Sequence, residues 1–580
     1  MRVFTGVAAS PGIVVGKLKV VDRQRLLVHE CAISQDDIVR EIDRLKKAIS
    51  TTKSELETLK EDLEGTTGDE HLFFIDTHLL ILADERLLIE TATIIETALI
   101  NAEGALRRTL QKYRTTFEAI EDAYLRERIS DVETVIEKIL RTMTGEVHVD
   151  IAPTEGLTII AAHEITPSDV LQMDRSHIIG LVTEVGGKTS HASILARAFE
   201  LPSVTGVLGI ADPELDGLPV IVDGLNGRVT VNPDREAFLD ALQHKRRYEY
   251  IELELHKLKD LPSRTLDGFE ISLKGNVEIP EEGASVLNHG GAGIGLYRTE
   301  MLFMNRREMP EEEEQYREYA AVQQAVAPHP LTIRTLDAGG DKLLDGFQHV
   351  AEQNPALGMR AIRLSLNMPV EFKKQLRAIL RVSALGTVRI MYPMISGLDE
   401  LRRAKALLNE CMTELAAEGI AYDKDIKSGI MIEIPSAVSM ADLLAAEADF
   451  FSVGTNDLIQ YTLAVDRSNE NLSDLYQPLH PSVLRSLQRV VDIAHNARID
   501  ACICGEMAGD PLYLPVLLGL GFDELSMSAA SIPRVKQVLR RCTHQQAAAI
   551  ASACLTYATA GETEAFLKRE ITSHFAESFD

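Results

Sequence analysis

The chain has 580 residues, 45% of them hydrophobic, with 88 acidic against 60 basic side chains and a formal net charge of -28. That length holds several buried cores, about three or four domains, and the acidity argues against nucleic acid and anionic membranes as partners while suiting a small basic protein. No stretch approaches the apolar run that a membrane span requires, and MRVFTGVAASPGIVVGKLKVV at the start lacks a long apolar core behind a basic segment, so no membrane insertion is expected and the cytoplasm is the expected location.

In chain order, VFTGVAASPGIVVGKLKVV is β-rich. From Ser34 onward Ile38, Ile42, Leu45, Ile49, Leu56, Leu59 and Leu63 recur at helical intervals, and comparable patterns over 72–89, 94–117 and 124–140 predict a helical bundle spanning 33–143. The β-rich character returns in GLTIIAAHEITPSDVLQM, IIGLVTEVGG and LPVIVDGLNGRVTVNP. The bundle therefore reads as an insertion into one α/β domain whose two pieces are 1–32 and 144–234.

Within the second piece lies GGKTSHASILARAFELPSVTG, residues 186–206. Ile194, Leu195, Ala198 and Leu201 lie at helical spacings, so Thr189 or Ser190 is the expected N-cap and His191 falls in the first turn. Unpaired N–H groups at a helix start, with glycines leading in, favour an anion, and a phosphoryl group carried on His191 would be well placed. A satisfied structural histidine fits the same residues, and this segment by itself does not choose.

Residues 235–260 combine charges with Phe238, Leu242 and Leu255 and end before a proline, as the helix of a linker spanning 235–262 would. Beyond them FEISLKGNV, GAGIGLYR, LTIRTLD, VRIMYPM, GIMIEIP, FFSVGTND, ACICGEM and ELSMSAA alternate with helical segments, which predicts a (β/α)8 TIM barrel over 263–580. EEEEQYREY, 311–319, is expected to be the solvated first turn of a helix.

In such a barrel the C-terminal strand ends converge on one mouth. Arg298 closes GIGLYR, Arg334 sits in TIRTLDAGGDK, Arg360 follows NPALGM, and Arg467 follows GTNDLIQYTLAVD; together they would clamp a small polyanion. Glu433 in MIEIP and Asp457 in GTND end successive strands, as a Mg²⁺ pair would, although such carboxylates can also pair with arginines structurally. Asn456 can donate to a phosphate oxygen, and Gly454 leaves room for close approach. The six cysteines include no CxxC pair and fit free thiols. Cys502 reads as a small core residue, while Cys504, nearer the mouth, fits either a proton donor or packing.

GGKTSHASILAR, GLYRTEMLFM, IRTLDAGGDK, NPALGMRAIR, DFFSVGTNDLIQYTLAVDR and CGEMAGD, in this order, resemble the Enzyme I family of the phosphoenolpyruvate-dependent sugar phosphotransferase system. The resemblance implies an α/β multidomain enzyme in which a swivelling domain carries a phosphohistidine. It implies that His191 takes a phosphoryl group on Nε2 from phosphoenolpyruvate and passes it to a histidine of the phosphocarrier protein HPr. It assigns substrate contacts to Arg298, Arg334, Asn456, Asp457 and Arg467, with Arg360 as a further contact. Mg²⁺ ligation falls to Glu433 and Asp457, general-acid catalysis to Cys504, HPr docking to 33–143, and homodimer formation to the barrel. Glu70, Asp76, Asp84 and Glu85 could then meet a basic HPr face.

Three departures accompany the resemblance. Lys188 stands where the family often has arginine, Met359 where it is often aromatic, and no sensory domain is expected ahead of the first strand. Pyruvate phosphate dikinase and phosphoenolpyruvate synthase share a swivelling histidine and a barrel but need a nucleotide-binding domain, and no P-loop precedes His191. A binding protein signalling through its phosphorylation state is a second alternative.

Overall fold

The computed structural model describes residues 1–21, 30–63, 78–79, 81–118, 129–144, 156–165, 169–170, 173–174, 176–187, 190–303, 309–339, 354–467 and 469–575. They form two compact units, 1–250 and 251–580, and the helix Arg235–His256 runs across the division.

In the first unit, strands β1 (Arg2–Thr5), β2 (Val7–Ser10) and β3 (Ile13–Val21) join β4 (Thr158–Ala162), β5 (Ile178–Thr183), β6 (Ser203–Thr205), β7 (Pro219–Asp223) and β8 (Arg228–Val231) in one sheet of order β1-β8-β7-β3-β4-β5-β6-β2. β3 pairs in parallel with β4, from Lys17 opposite Thr158 to Val21 opposite Ala162, so the sheet draws on both sequence pieces. Alternate residues of the strands, among them Ile159 and Ala161, Val220 and Val222, and Val229 and Val231, share one core with Leu18 and Val204.

Between β3 and β4 run the helices Ile38–Leu63, Glu85–Ala98, Ala102–Glu118 and Ile129–Thr144. Leu45, Leu56, Ile95, Leu106, Ile136 and Ile139 fill their common core. The pattern over 94–117 is split between two helices. Leu99 takes φ 52°, the left-handed conformation that ends the first, and its N–H bonds to the Ile95 carbonyl. The start of the 72–89 pattern, together with Leu80, and the start of the 124–140 pattern lie outside the described residues.

The second unit is built on a closed, all-parallel barrel of β9 (Ser272–Val277), β10 (Ile294–Arg298), β11 (Leu331–Arg334), β12 (Val388–Tyr392), β13 (Lys427–Ile432), β14 (Phe450–Val453), β15 (Asp500–Ile503) and β16 (Glu524–Met527). These are the eight segments expected from the sequence. The barrel encloses a buried ion cluster: Arg389 Nη2 lies 2.9 and 3.0 Å from the two Glu524 oxygens, and Lys274 bonds to the same carboxylate. Both cations share that one carboxylate, and Arg389 Nη1 also lies 4.0 Å from Asp500, so no ion there is buried without an opposite charge beside it.

The acidic run at 311–319 is not simply solvated. It starts the helix Glu312–Val326, and Glu312 takes Arg377 Nε at 2.6 Å and Arg381 Nη1 at 3.0 Å, while Glu311 takes Lys374 at 2.7 Å. The acids meet the basic face of the neighbouring helix Pro369–Val382. On the helix Ile532–Leu539, the buried Lys536 ammonium donates to the carbonyls of Lys259 (3.1 Å), Leu261 (3.1 Å) and Gly290 (2.9 Å), tying the segment after the linker helix to the barrel.

Candidate active site

In the first unit, the turn after β5 leads to the helix His191–Ala198. Glu184, just past the strand, pins this turn. Its carboxylate takes the Gly209 N–H at 2.8 Å, the Ala211 N–H at 3.3 Å and His163 Nδ1 at 2.7 Å. Burial opposes the charge, but those partners hold the carboxyl below its ordinary range. Gly186 then adopts φ 125°, a conformation glycine alone takes without strain. Of the two expected N-caps, Ser190 does the capping: its Oγ accepts from the Ser193 N–H at 3.3 Å. His191 is therefore the first helical residue. Its side chain, Lys188 and Thr189 lie outside the described positions, as do Glu70 and Asp76. Asp84 is described and caps the helix Glu85–Ala98 through the Arg86 N–H.

In the barrel, Arg298 and Arg334 are the last residues of β10 and β11 and stand opposite each other in the register. Glu433 follows β13, Asn456 and Asp457 open the helix Thr455–Leu463 after β14, and Cys504 follows β15. Arg360 bridges back to Gly339 in the β11 loop. The ring of strand ends thus gathers these residues at one mouth.

Their contacts are specific. Arg334 bonds through Nη1 to Asp337 at 2.7 Å and through Nη2 to Glu300 at 3.0 Å, while its Nε is buried without a partner. Arg360 Nη2 lies 2.9 Å from Asp337 and 3.1 Å from Asp457, and its Nη1 donates to the Tyr461 hydroxyl at 3.2 Å. Arg298 is paired with Glu278. Asn456 exchanges hydrogen bonds with Glu506, Nδ2 to Oε1 at 3.1 Å and Glu506 N–H to Oδ1 at 3.0 Å. Arg467 is half-exposed and reaches to 3.8 Å from Asp457 Oδ1.

One oxygen each of Asp337, Glu433 and Asp457 lie within 4.8 Å of one another. Burial, reinforced by Asp337 and Asp457, pushes the Glu433 carboxyl well above its ordinary pKa. Its Oε1 takes the Met394 N–H at 2.6 Å, and Asp457 Oδ1 is buried with no hydrogen-bond partner. A β-carbon at position 454 would come within 2.7 Å of Glu433 Oε2, so Gly454 is what leaves that oxygen room. Crowded carboxylates with an orphaned oxygen fit a hard divalent cation. Cys504 is buried among Leu296, Met391, Met431 and Phe450, and burial pushes its thiol up to about 11. Cys502 lies deeper, beside the ion cluster, and burial raises its thiol well above the ordinary value.

Four residues here escaped the sequence reading: Glu278, Glu300, Asp337 and Tyr461. Asp337 carried a usable signal, its spacing of three residues from Arg334 on a strand-end loop, and so did Glu278, the polar residue directly after β9.

Three family models for phosphoenolpyruvate-utilising enzymes match the chain: the N-terminal domain over 5–128, the mobile domain over 155–227 and the phosphoenolpyruvate-binding domain over 252–544. The barrel with its arginine-lined mouth and the sheet with its histidine-led helix thus define a phosphoenolpyruvate-utilising enzyme. The chain is 42% identical to a phosphoenolpyruvate-protein phosphotransferase of Geobacillus stearothermophilus and 41% identical to that of Bacillus sp. (strain S), each over 98% of both chains. A protein of the same name from Haemophilus influenzae is 39% identical over 97% of this chain and 98% of its own. The chain belongs to the phosphoenolpyruvate-protein phosphotransferase family, the Enzyme I family.

Proposed function

We propose that this enzyme moves the phosphoryl group of phosphoenolpyruvate to His191 Nε2, releases pyruvate, and passes the group to a histidine of HPr, the first step of sugar uptake by the phosphotransferase system. The observation that carries the reading is the convergence of Arg298, Arg334, Arg360, Glu433, Asp457 and Cys504 on one barrel mouth. A trianionic substrate needs that density of guanidinium groups, and an enol-forming departure needs a proton source.

In this reading Arg298, Arg334, Arg360, Asn456 and Arg467 bind the phosphate and carboxylate of phosphoenolpyruvate. The partnerless Nε of the buried Arg334 is a donor that such a ligand would satisfy. Glu433 and Asp457 would hold Mg²⁺, which supplies positive charge to the phosphoryl and enolate oxygens when bound. His191 Nε2 attacks phosphorus in line, the bond from phosphorus to the bridging oxygen breaks, and its electron pair stays on the enolate. Cys504 Sγ then gives its proton to the methylene carbon, yielding pyruvate, and is reprotonated from solvent.

The same reading takes 1–32 with 144–234 as the phosphohistidine domain, 33–143 as the HPr-docking part, 235–262 as the linker and 263–580 as the barrel domain through which a cytoplasmic homodimer forms. The histidine domain swings between barrel and HPr. No helix among the described residues is long and apolar enough to cross a membrane. The test is incubation of the chain with phosphorus-labelled phosphoenolpyruvate and Mg²⁺. Acid-labile label on the peptide containing His191, with one pyruvate released per label, is expected; label elsewhere, or none, overturns the reading.

A further inference from the structure

Asp337 lies on the loop that follows β11, and its side chain is 5% exposed. It divides its two oxygens between two arginines: Oδ2 takes Arg334 Nη1 at 2.7 Å and Oδ1 takes Arg360 Nη2 at 2.9 Å. Its own N–H donates to Glu300 Oε1 at 2.9 Å, the oxygen that also meets Arg334 Nη2. Backbone and side chain of this one residue are therefore both fixed in the frame that holds Arg334. Arg360 arrives from a separate part of the chain, and among the described residues Asp337 and Asp457 are the carboxylates that hold it.

We infer that Asp337 is a positioning residue of the phosphoenolpyruvate site, setting the spacing and aim of Arg334 and Arg360 by giving one carboxylate oxygen to each. The inference rests on the reading of the barrel mouth as that substrate's site. Without this carboxylate, two neighbouring buried guanidiniums would repel each other where water screens poorly. They would part, and a rigid two-armed clamp would lose the geometry that suits phosphate and carboxylate.

Two other roles compete for the same group. Asp337 stands close enough to Glu433 and Asp457 to suggest a third metal ligand. Both its oxygens are already engaged by guanidiniums at hydrogen-bond distance, however, whereas Asp457 Oδ1 has no hydrogen-bond partner, Arg467 standing 3.8 Å away. As a bare negative charge it would instead repel an anionic substrate, and its removal would tighten binding. Positioning has the opposite sign.

The experiment starts with the unaltered chain, where failure to release pyruvate from phosphoenolpyruvate counts against the proposed function and not against Asp337. In Asp337→Asn, the KM for phosphoenolpyruvate at saturating Mg²⁺, and the Kd measured calorimetrically without metal, should rise roughly ten- to a hundredfold. The Mg²⁺ concentration for half-activation should stay unchanged. Combining Asp337→Asn with Arg360→Gln should cost less than the sum of the two single changes, because they share the Asp337–Arg360 contact while the Asp337–Arg334 contact is lost only with Asp337. Unchanged or tighter substrate binding, an effect confined to Mg²⁺ dependence, or full additivity overturns the inference. Thermal denaturation reports whether the variant folds. If it does not, Asp337→Glu carries the same test: it keeps the charge but displaces the oxygens, so its KM should also rise, and an unchanged KM overturns the inference.

Discussion

A thiol that titrates near 11 is a poor nucleophile at neutral pH but a proton donor that never runs out of proton in the physiological range. The consequence for Cys504 has a definite sign. The acid form is the active one, so its contribution is full below the raised pKa and is lost only as pH climbs through it. Single-turnover pyruvate formation should stay level from about pH 7 to about pH 9, where an unshifted thiol would already have lost more than half its protons. A decline centred near 8.5 would contradict the buried-donor role. At the other end of the transfer, His191→Ala should abolish acid-labile labelling while leaving the circular dichroism spectrum and melting midpoint unchanged, since the substitution sits at a helix start already capped by Ser190. Stable phosphohistidine elsewhere in that variant would remove His191 from the reaction. The residues that end strands were legible because two signals coincide there, an apolar strand and one polar residue after it. Glu278, the polar residue directly after β9, carried that pattern too; Glu300 and Tyr461 did not, because each matters through a contact with a distant part of the chain that no local pattern encodes.

At the scale of elements, the eight barrel strands were readable because each is a short apolar run bounded by turns and helical stretches. The helices of the bundle were read in outline. The break at Leu99 was missed because Ile94 and Ile95 continue the apolar spacing up to the turn, and leucine is an uncommon residue to find at φ 52°. The acidic start of Glu312–Val326 was misread because its basic partners, Lys374, Arg377 and Arg381, come some sixty residues later. The helix Ile532–Leu539 allows a direct measurement of what one side chain contributes. Lys536→Met keeps the buried stem but leaves the carbonyls of Lys259, Leu261 and Gly290 without their donor. A loss of about 1–3 kcal/mol in barrel stability is expected from denaturant unfolding. An unchanged midpoint would mean that water reaches those carbonyls.

For the whole molecule, the division into units 1–250 and 251–580 supports a separation of labour. A fragment ending near Asp260 retains every strand of the mixed sheet, the bundle and His191, and lacks every arginine and carboxylate of the barrel mouth. It should fold, bind HPr and accept phosphate from phospho-HPr, yet take none from phosphoenolpyruvate. Its HPr affinity should fall as salt rises if acidic groups such as Asp84 meet a basic partner. Labelling of the fragment directly by phosphoenolpyruvate would end the two-site scheme. The order of the mixed sheet also sets a timetable for synthesis. β1 pairs with β8, Arg2 opposite Val231, so the first strand made waits for one translated more than two hundred residues later. At ordinary ribosome speeds that wait is roughly ten to fifty seconds. Through it Leu18 and Val20 of β3, buried in the finished sheet, lack the partner strands that cover them, and a nascent chain in that state is a substrate for chaperones.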